Sequence, residues 1–361
     1  MNGLMFSPGN VLVDRYVVRE YLNSGGMQEV YVCEDLALDR FVAVKTPKGG
    51  VRDRRFRRGA EMGARISHHN VASTFDYYED DHLTFMVEEF VDGLDLGKRL
   101  DREFYYLDPS LAAHVIHNIT RALYEAHKVG ICHRDLKPSN IMTSDDPGMQ
   151  SIKLTDFGIA KMAESEIAVE MERFERDEAT LTASNTLLGA VPYMAPECWV
   201  DWKNAGQAID IWALGCIAYQ LLSGVPPFGL GRIAIANVVR VEQAGKVDLV
   251  LPAAFGRNQS TKALEGDLWN MVLACIQPNP EVRPDAATLL SACGTWCYAL
   301  GQRRRGVVGT YGVPYYGGGV SKSGNIIDNV SSESLFFHGS DFFGAMRPTR
   351  DSLIYSPSAA S

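Results

Sequence analysis

Residues 133–140 read His-Arg-Asp-Leu-Lys-Pro-Ser-Asn, and Asp156-Phe157-Gly158 begins sixteen positions after Asn140. No other feature limits the possible folds so sharply. The pair places a carboxylate, a lysine and an amide on one tight loop, with a second carboxylate a short hairpin away. Those groups suit deprotonating a hydroxyl, neutralising a moving phosphoryl group and holding magnesium. Asp-Phe-Gly alone recurs by chance, whereas the eight-residue string followed by it does not.

The 361 residues are enough for one large domain or two lobes with a substantial core. No apolar stretch approaches the length needed to cross a bilayer, so no membrane association is expected. Met1 to Asn10 lacks a basic segment followed by an apolar run, which argues against export. Seven cysteines are scattered mostly among apolar neighbours, as suits reduced thiols in a cytoplasm. Cys293 and Cys297 share a helical spacing, but nothing nearby completes a metal site. The net charge of −9 has no basic stripe to offset it, so nucleic acid is not an expected partner.

Strands are expected at Val11 to Leu22, Glu29 to Glu34, Arg40 to Lys45, Ser73 to Glu79 and Leu83 to Glu89, with a helix near Asp53 to Ile66. Beyond Gly93 the pattern turns helical. Asp108-Pro109 is a cap followed by a first-turn proline, and Leu111, Val115, Ile119 and Leu123 recur on one face up to Gly130. Further helices are expected near Ala208 to Ser223, Ile233 to Ala244, Thr261 to Ile276 and Asp285 to Cys297. A small sheet lobe joined to a larger helical lobe is an α+β arrangement. From about Gly301, glycines and serines break the periodicity, as in a flexible tail. Its aromatics, among them Tyr315, Phe336 and Phe342, are candidates for docking on the folded part or on a partner.

Taken in order, these motifs resemble the eukaryotic-type Ser/Thr protein kinase family. The string Ser24-Gly25-Gly26-Met27-Gln28-Glu29-Val30-Tyr31 is most similar to its bacterial branch. The resemblance runs from about Tyr16 to Cys297. It implies a bilobal fold with a lead-in at 1–15, an ATP-binding lobe at 16–91, a catalytic lobe at 92–299 and a tail at 300–361. By resemblance, Leu22, Gly25, Gly26, Val30 and Ala43 surround the nucleotide, and Lys45 grips its phosphates. Glu89 to Val91 form the hinge beside adenine, and Glu88 takes the gatekeeper position behind it. Asp135 accepts the hydroxyl proton, Lys137 neutralises the γ-phosphate, and Asn140 and Asp156 bind magnesium, with manganese as an alternative. Arg134 is the implied receiver of an activation-segment phosphate. Glu197 is expected to pair with Arg283, and Asp210 to brace the catalytic loop. The implied activity is Mg-ATP-dependent phosphorylation of protein serines and threonines.

The chain departs from the family pattern in several places. Only the middle glycine of the hairpin triad survives, as Gly25, with Asn23 and Gln28 in the other two places. Gly59 falls where the helix should offer a glutamate to Lys45. Glu61, two residues on, lies about 200° round the helix and points away unless the helix shifts. Glu88 is the other candidate partner. A buried carboxylate needs a cation, and attraction at about 4 Å is worth roughly 4 kcal/mol at an effective dielectric near 20. Between Gly158 and Ala195 lie 36 residues (159–194), a long segment in which Glu164 to Asp177 is dense in charge. Thr182 and Ser184 stand eight and six residues before Ala190, where related bacterial kinases carry activating phosphates. Ala190 itself replaces a threonine common in the family. An active kinase is the expectation. A pseudokinase, binding nucleotide or acting as a scaffold without transferring phosphate, is the alternative.

Overall fold

The computed structural model of the chain describes residues 4–24, 28–50, 54–157, 189–201, 205–257, 259, 261–294 and 296, with short strands at 317–321, 326–328 and 354–355. The small lobe is built from β1 (Val11–Leu12), β2 (Tyr16–Ser24), β3 (Gln28–Asp35), β4 (Arg40–Pro47), α1 (Arg54–Gly63), β5 (Thr74–Glu79) and β6 (Thr84–Glu89). Its six strands form one antiparallel sheet in the order β1-β2-β3-β4-β6-β5. Side chains alternate across a strand with period two. One face therefore gathers Tyr16, Val18, Tyr31, Cys33, Val42, Val44, Phe85 and Val87 into a core that also takes in Phe6 and Leu12. The opposite face of β4 and β6 carries Ala43, Lys45, Met86 and Glu88, all buried.

Two local expectations are corrected. The run from Val11 to Leu22 is not one strand: Val13 (φ 46°) and Asp14 (φ 56°) adopt left-handed backbone, and the chain turns so that β1 pairs back on β2. A hydrophobicity pattern cannot see such a turn when a β-branched residue occupies it. Helix α1 also stops short of Ile66, at Gly63. A Cβ there would lie 2.4 Å from Thr74 Oγ1, so any larger residue at the helix end would force the Thr74 hydroxyl to move.

The large lobe opens with β7 (Leu94–Asp95), α2 (Leu96–Arg102), β8 (Phe104–Leu107) and α3 (Pro109–Lys128). The Asp108 side chain accepts from Ser110 N–H, Pro109 occupies the first turn, and Leu111, Val115, Ile119 and Leu123 are all buried. Strands β9 (Ile141–Thr143) and β10 (Ile152–Leu154) form a hairpin, with β7 added to its outer edge. Then come α4 (Glu197–Val200), α5 (Ala208–Ser223), α6 (Gly231–Ala244), α7 (Lys262–Cys275) and a helical stretch over 286–294. Helix α5 is apolar nearly all round and is wrapped on every side, as such a helix must be. It ends at Gly224 (φ 85°), where a Cβ would strike the Tyr105 carbonyl at 2.1 Å.

Strand β8 lies in a region read from the sequence as helical. Phe104-Tyr105-Tyr106-Leu107 is an aromatic run of the kind that favours strands. It pairs antiparallel with β11 (Gly317–Ser321), which continues through β12 (Ile326–Asp328) to β13 (Ile354–Tyr355). No helix among the described residues is long and apolar enough to cross a membrane.

Candidate active site

The β9–β10 hairpin brings together the residues expected from the sequence to carry catalysis. Ile141 pairs with Leu154, so Asn140 and Thr155 leave the hairpin side by side, and Thr155 N–H donates to the Asn140 carbonyl at 3.0 Å. That places Asp156 next to the loop that ends at Asn140. Within the loop, Lys137 Nζ donates to Asp135 Oδ2 at 2.7 Å. Asn140 Nδ2 donates to the same oxygen at 3.0 Å and to the Asp135 carbonyl at 2.8 Å. His133 packs its ring 4.6 Å from that of Phe157 and donates through Nε2 to the Thr155 carbonyl.

Asp210, in the first turn of α5, holds this loop in shape. Its carboxylate accepts the backbone N–H groups of His133 and Arg134, each at 2.8 Å, and His127 Nε2–H at 2.8 Å. Burial pushes the Asp210 carboxyl up, but the His127 hydrogen bond and the backbone donors outweigh it and hold the group below the usual carboxylate range. These bonds support Arg134 in left-handed backbone (φ 68°), a conformation that costs a non-glycine residue free energy. The Arg134 guanidinium donates to the Ala205 carbonyl at 3.3 Å. Thr182 and Ser184 lie outside the described residues, as do Gly25 and Gly26.

Lys45 lies between two carboxylates. Its Nζ is 2.5 Å from Glu88 Oε2 and 2.9 Å from Asp156 Oδ1, with the Lys45 and Glu88 side chains only 5 % and 7 % exposed. Glu61 is 62 % exposed and pairs with Arg57 at 3.1 Å. Of the two sequence candidates, Glu88 reaches the lysine and Glu61 does not. Burial pushes the Lys45 ammonium down, yet the two carboxylates more than reverse that, and it stays charged. Burial pushes the Asp156 carboxyl up, but Lys45 and the Gln28 amide bring it down to about 2.

Gln28 is the site residue that sequence reasoning missed. Its Nε2 donates to Asp156 Oδ1 at 2.8 Å, joining the glycine hairpin to the Asp-Phe-Gly motif across 128 positions. The available signal was an amide standing where the family carries its third glycine.

Of the residues that the resemblance places around the nucleotide, Ala43 is buried, Val30 is partly buried and Leu22 is 43 % exposed on the hairpin strand. Glu89 N–H donates to the Ser73 carbonyl at 2.8 Å, and the Glu89 carboxylate takes Lys153 at 3.0 Å and Ser73 N–H at 3.2 Å. Val91 follows on the segment joining the lobes and is partly buried. In the large lobe, Arg283 grips Glu197 through two bonds of 2.6 and 2.8 Å and donates to the carbonyls of Ala208, Gln277 and Pro278, over the Trp212 ring. Lysine cannot reproduce that fork. Arg283→Lys is expected to cost about 3–5 kcal/mol, as breaking a buried pair does, read from the shift of the urea midpoint.

The residues fit a nucleotide-borne divalent cation. Magnesium is usually held by one or two carboxylates together with phosphate oxygens and seldom by an all-protein cage. Among the described residues no group of three His, Cys, Asp or Glu is arranged to hold a metal. The Asp156 carboxylate and the Asn140 amide oxygen form the sparse donor set expected for an ion that arrives with phosphates. Gln28 Oε1 is buried without a partner beside Asp156, as befits a site built around something further.

Residues 16–293 match the protein kinase domain family. The serine/threonine-protein kinase PrkC of Bacillus subtilis is 35% identical over 241 residues, 65% of this chain and 34% of its own. The serine/threonine-protein kinase PknB of Mycobacterium tuberculosis is 33% identical over 292 residues, 78% of this chain and 42% of its own. The chain thus spans between about a third and two-fifths of the length of these relatives. The family match runs from the first residue of β2 into the last helix of the large lobe, leaving out only β1 and the strands beyond 316 among the named elements, and the chain belongs to the protein kinase domain family, alongside serine/threonine kinases of bacteria.

Proposed function

We propose that the chain is a Mg-ATP-dependent serine/threonine protein kinase. The observation that carries this is the hydrogen bonding of Lys137 and Asn140 to Asp135, with Thr155 linking Asn140 to Asp156 and Lys45 reaching Asp156 from the small lobe. Asp135 accepts the proton of the incoming hydroxyl, and Lys137, 2.7 Å from it, neutralises charge on the transferring group. Asn140 and Asp156 would hold the magnesium, whose chemistry is to bridge phosphate oxygens and neutralise charge developing on them. Lysine two residues after the base, in Asp135-Leu-Lys137, supports hydroxyl acceptors on serine and threonine.

The pseudokinase alternative rested on Gln28, Gly59 and Ala190. Lys45 has a carboxylate partner despite Gly59, and Gln28 contacts Asp156 directly, which favours the active reading. Autophosphorylation at Thr182 and Ser184, with Arg134 as receiver, belongs to the same proposal. Mass spectrometry of active enzyme should find phosphate within 180–186, and only unmodified peptides there would count against it. Among the described residues, six of the seven cysteines are free thiols, five of them buried, which supports a cytoplasmic setting. The aromatic tail is proposed as a docking segment for a protein partner. The function is tested by incubation with labelled ATP, magnesium and a basic protein acceptor, comparing wild type with Asp135→Asn.

A further inference from the structure

We propose that Glu88 is the positioning residue for Lys45, and that by carrying this role on the sheet the chain uncouples its grip on nucleotide phosphates from the position of helix α1. The inference rests on the reading of this cleft as a nucleotide site. Its basis is register. On β4 and β6, Lys45 pairs with Met86 and Ala43 pairs with Glu88. Glu88 is two residues past Met86, so Lys45 and Glu88 are diagonal neighbours on one face, a separation that long side chains span. Both backbones are fixed by the same ladder of hydrogen bonds. The 2.5 Å contact is therefore set up by strand pairing and takes nothing from α1.

Helix α1 offers Lys45 nothing comparable. Toward the sheet it presents Phe56 and Ala60, buried against Met86 with Tyr77 alongside, and at Gly63 it closes on Thr74. Its acidic residue, Glu61, is turned outward to Arg57. A shift of α1 would rearrange apolar contacts without breaking an ion pair at Lys45. The second partner of Lys45, Asp156, also lies off the helix. If the pair were only a structural staple, loss of Glu88 would show as lost stability. Lys45 keeps Asp156 in that case, so a positioning role predicts lost nucleotide affinity with stability retained.

The test measures Mg-ATP dissociation constants by calorimetry on the full chain, melting temperatures, and amide exchange over 54–63. Glu88→Gln is expected to weaken Mg-ATP about 10–100-fold, the usual value of a hydrogen bond to a charged group, with the melting temperature held or raised. Glu61→Gln should change affinity less than about twofold, as for an exposed pair. Phe56→Ala should speed exchange in α1 while affinity stays within about threefold. Should that variant not fold, Ala60→Gly reads the same quantity through helix propensity. The proposal is overturned if Glu88→Gln binds Mg-ATP within threefold of wild type, if it loses stability without losing affinity, or if affinity falls tenfold as α1 loosens. Wild type that binds Mg-ATP but transfers no phosphate would sink the kinase reading and leave this inference standing. Wild type that binds none would overturn both.

Discussion

Replacing Lys45 by methionine is expected to remove measurable Mg-ATP binding and to destabilise the fold by about 3–5 kcal/mol, the cost of breaking a buried ion pair from one side. Methionine preserves volume, so the loss is electrostatic. Without the ammonium, Glu88 (7 % exposed) and Asp156 (23 % exposed) lose the cation they share. The pH dependence follows with a definite sign. Burial holds the Glu88 carboxyl above its ordinary value even with Lys45 present; losing the lysine raises it further and removes the main cause that holds the Asp156 carboxyl down. A group raised in the folded state binds its proton there first, so the variant gains stability as pH falls toward 5. The wild-type Asp156 carboxyl, at about 2, contributes stability that is complete above about 4 and is lost only between there and 2. Urea unfolding at pH 7.5 and pH 5.5 should therefore show the gap between variant and wild type narrowing on acidification. A gap that is constant or wider at pH 5.5 would mean that the two carboxylates do not interact through Lys45.

Asp135→Asn should slow phosphoryl transfer by roughly 10²–10⁴-fold, the usual share of a general base, while leaving Mg-ATP affinity within about threefold. Asparagine keeps the shape and an acceptor oxygen for Lys137 and Asn140, so the loop should persist. What is lost is the charge that draws the hydroxyl proton. Initial rates at saturating ATP and acceptor isolate that effect. A variant that keeps a tenth or more of the wild-type rate would remove Asp135 from the role of base. A variant that loses nucleotide affinity in parallel would make it a binding residue instead.

The features read correctly in advance were those written in short-range order. The spacing from Asn140 to Asp156 is a hairpin, and the hairpin sets Asn140 beside Thr155 whatever the rest of the fold does. Asp108, Pro109 and the four-residue recurrence to Leu123 specify α3 locally. The Glu88–Lys45 contact was legible as one of two options because the resemblance puts Glu88 at the gatekeeper position, where a buried carboxylate needs a cation. Choosing between them required the rotation of α1, which no local pattern encodes. Gln28 on Asp156 was out of reach for a related reason: the contact depends on how far the hairpin folds over the lower lobe. The turn at Val13 and Asp14 and the strand at Phe104–Leu107 failed differently. A β-branched residue in left-handed backbone runs against propensity, whereas the aromatic strand follows its own propensity inside a lobe whose overall pattern is helical.

Phosphoamino-acid analysis of protein labelled from γ-³²P-ATP by the purified chain reaches the central claim most directly. The account predicts magnesium-dependent label on serine and threonine, absent from Asp135→Asn. Nucleotide that binds yet leaves no label on protein, or label confined to tyrosine, would contradict it.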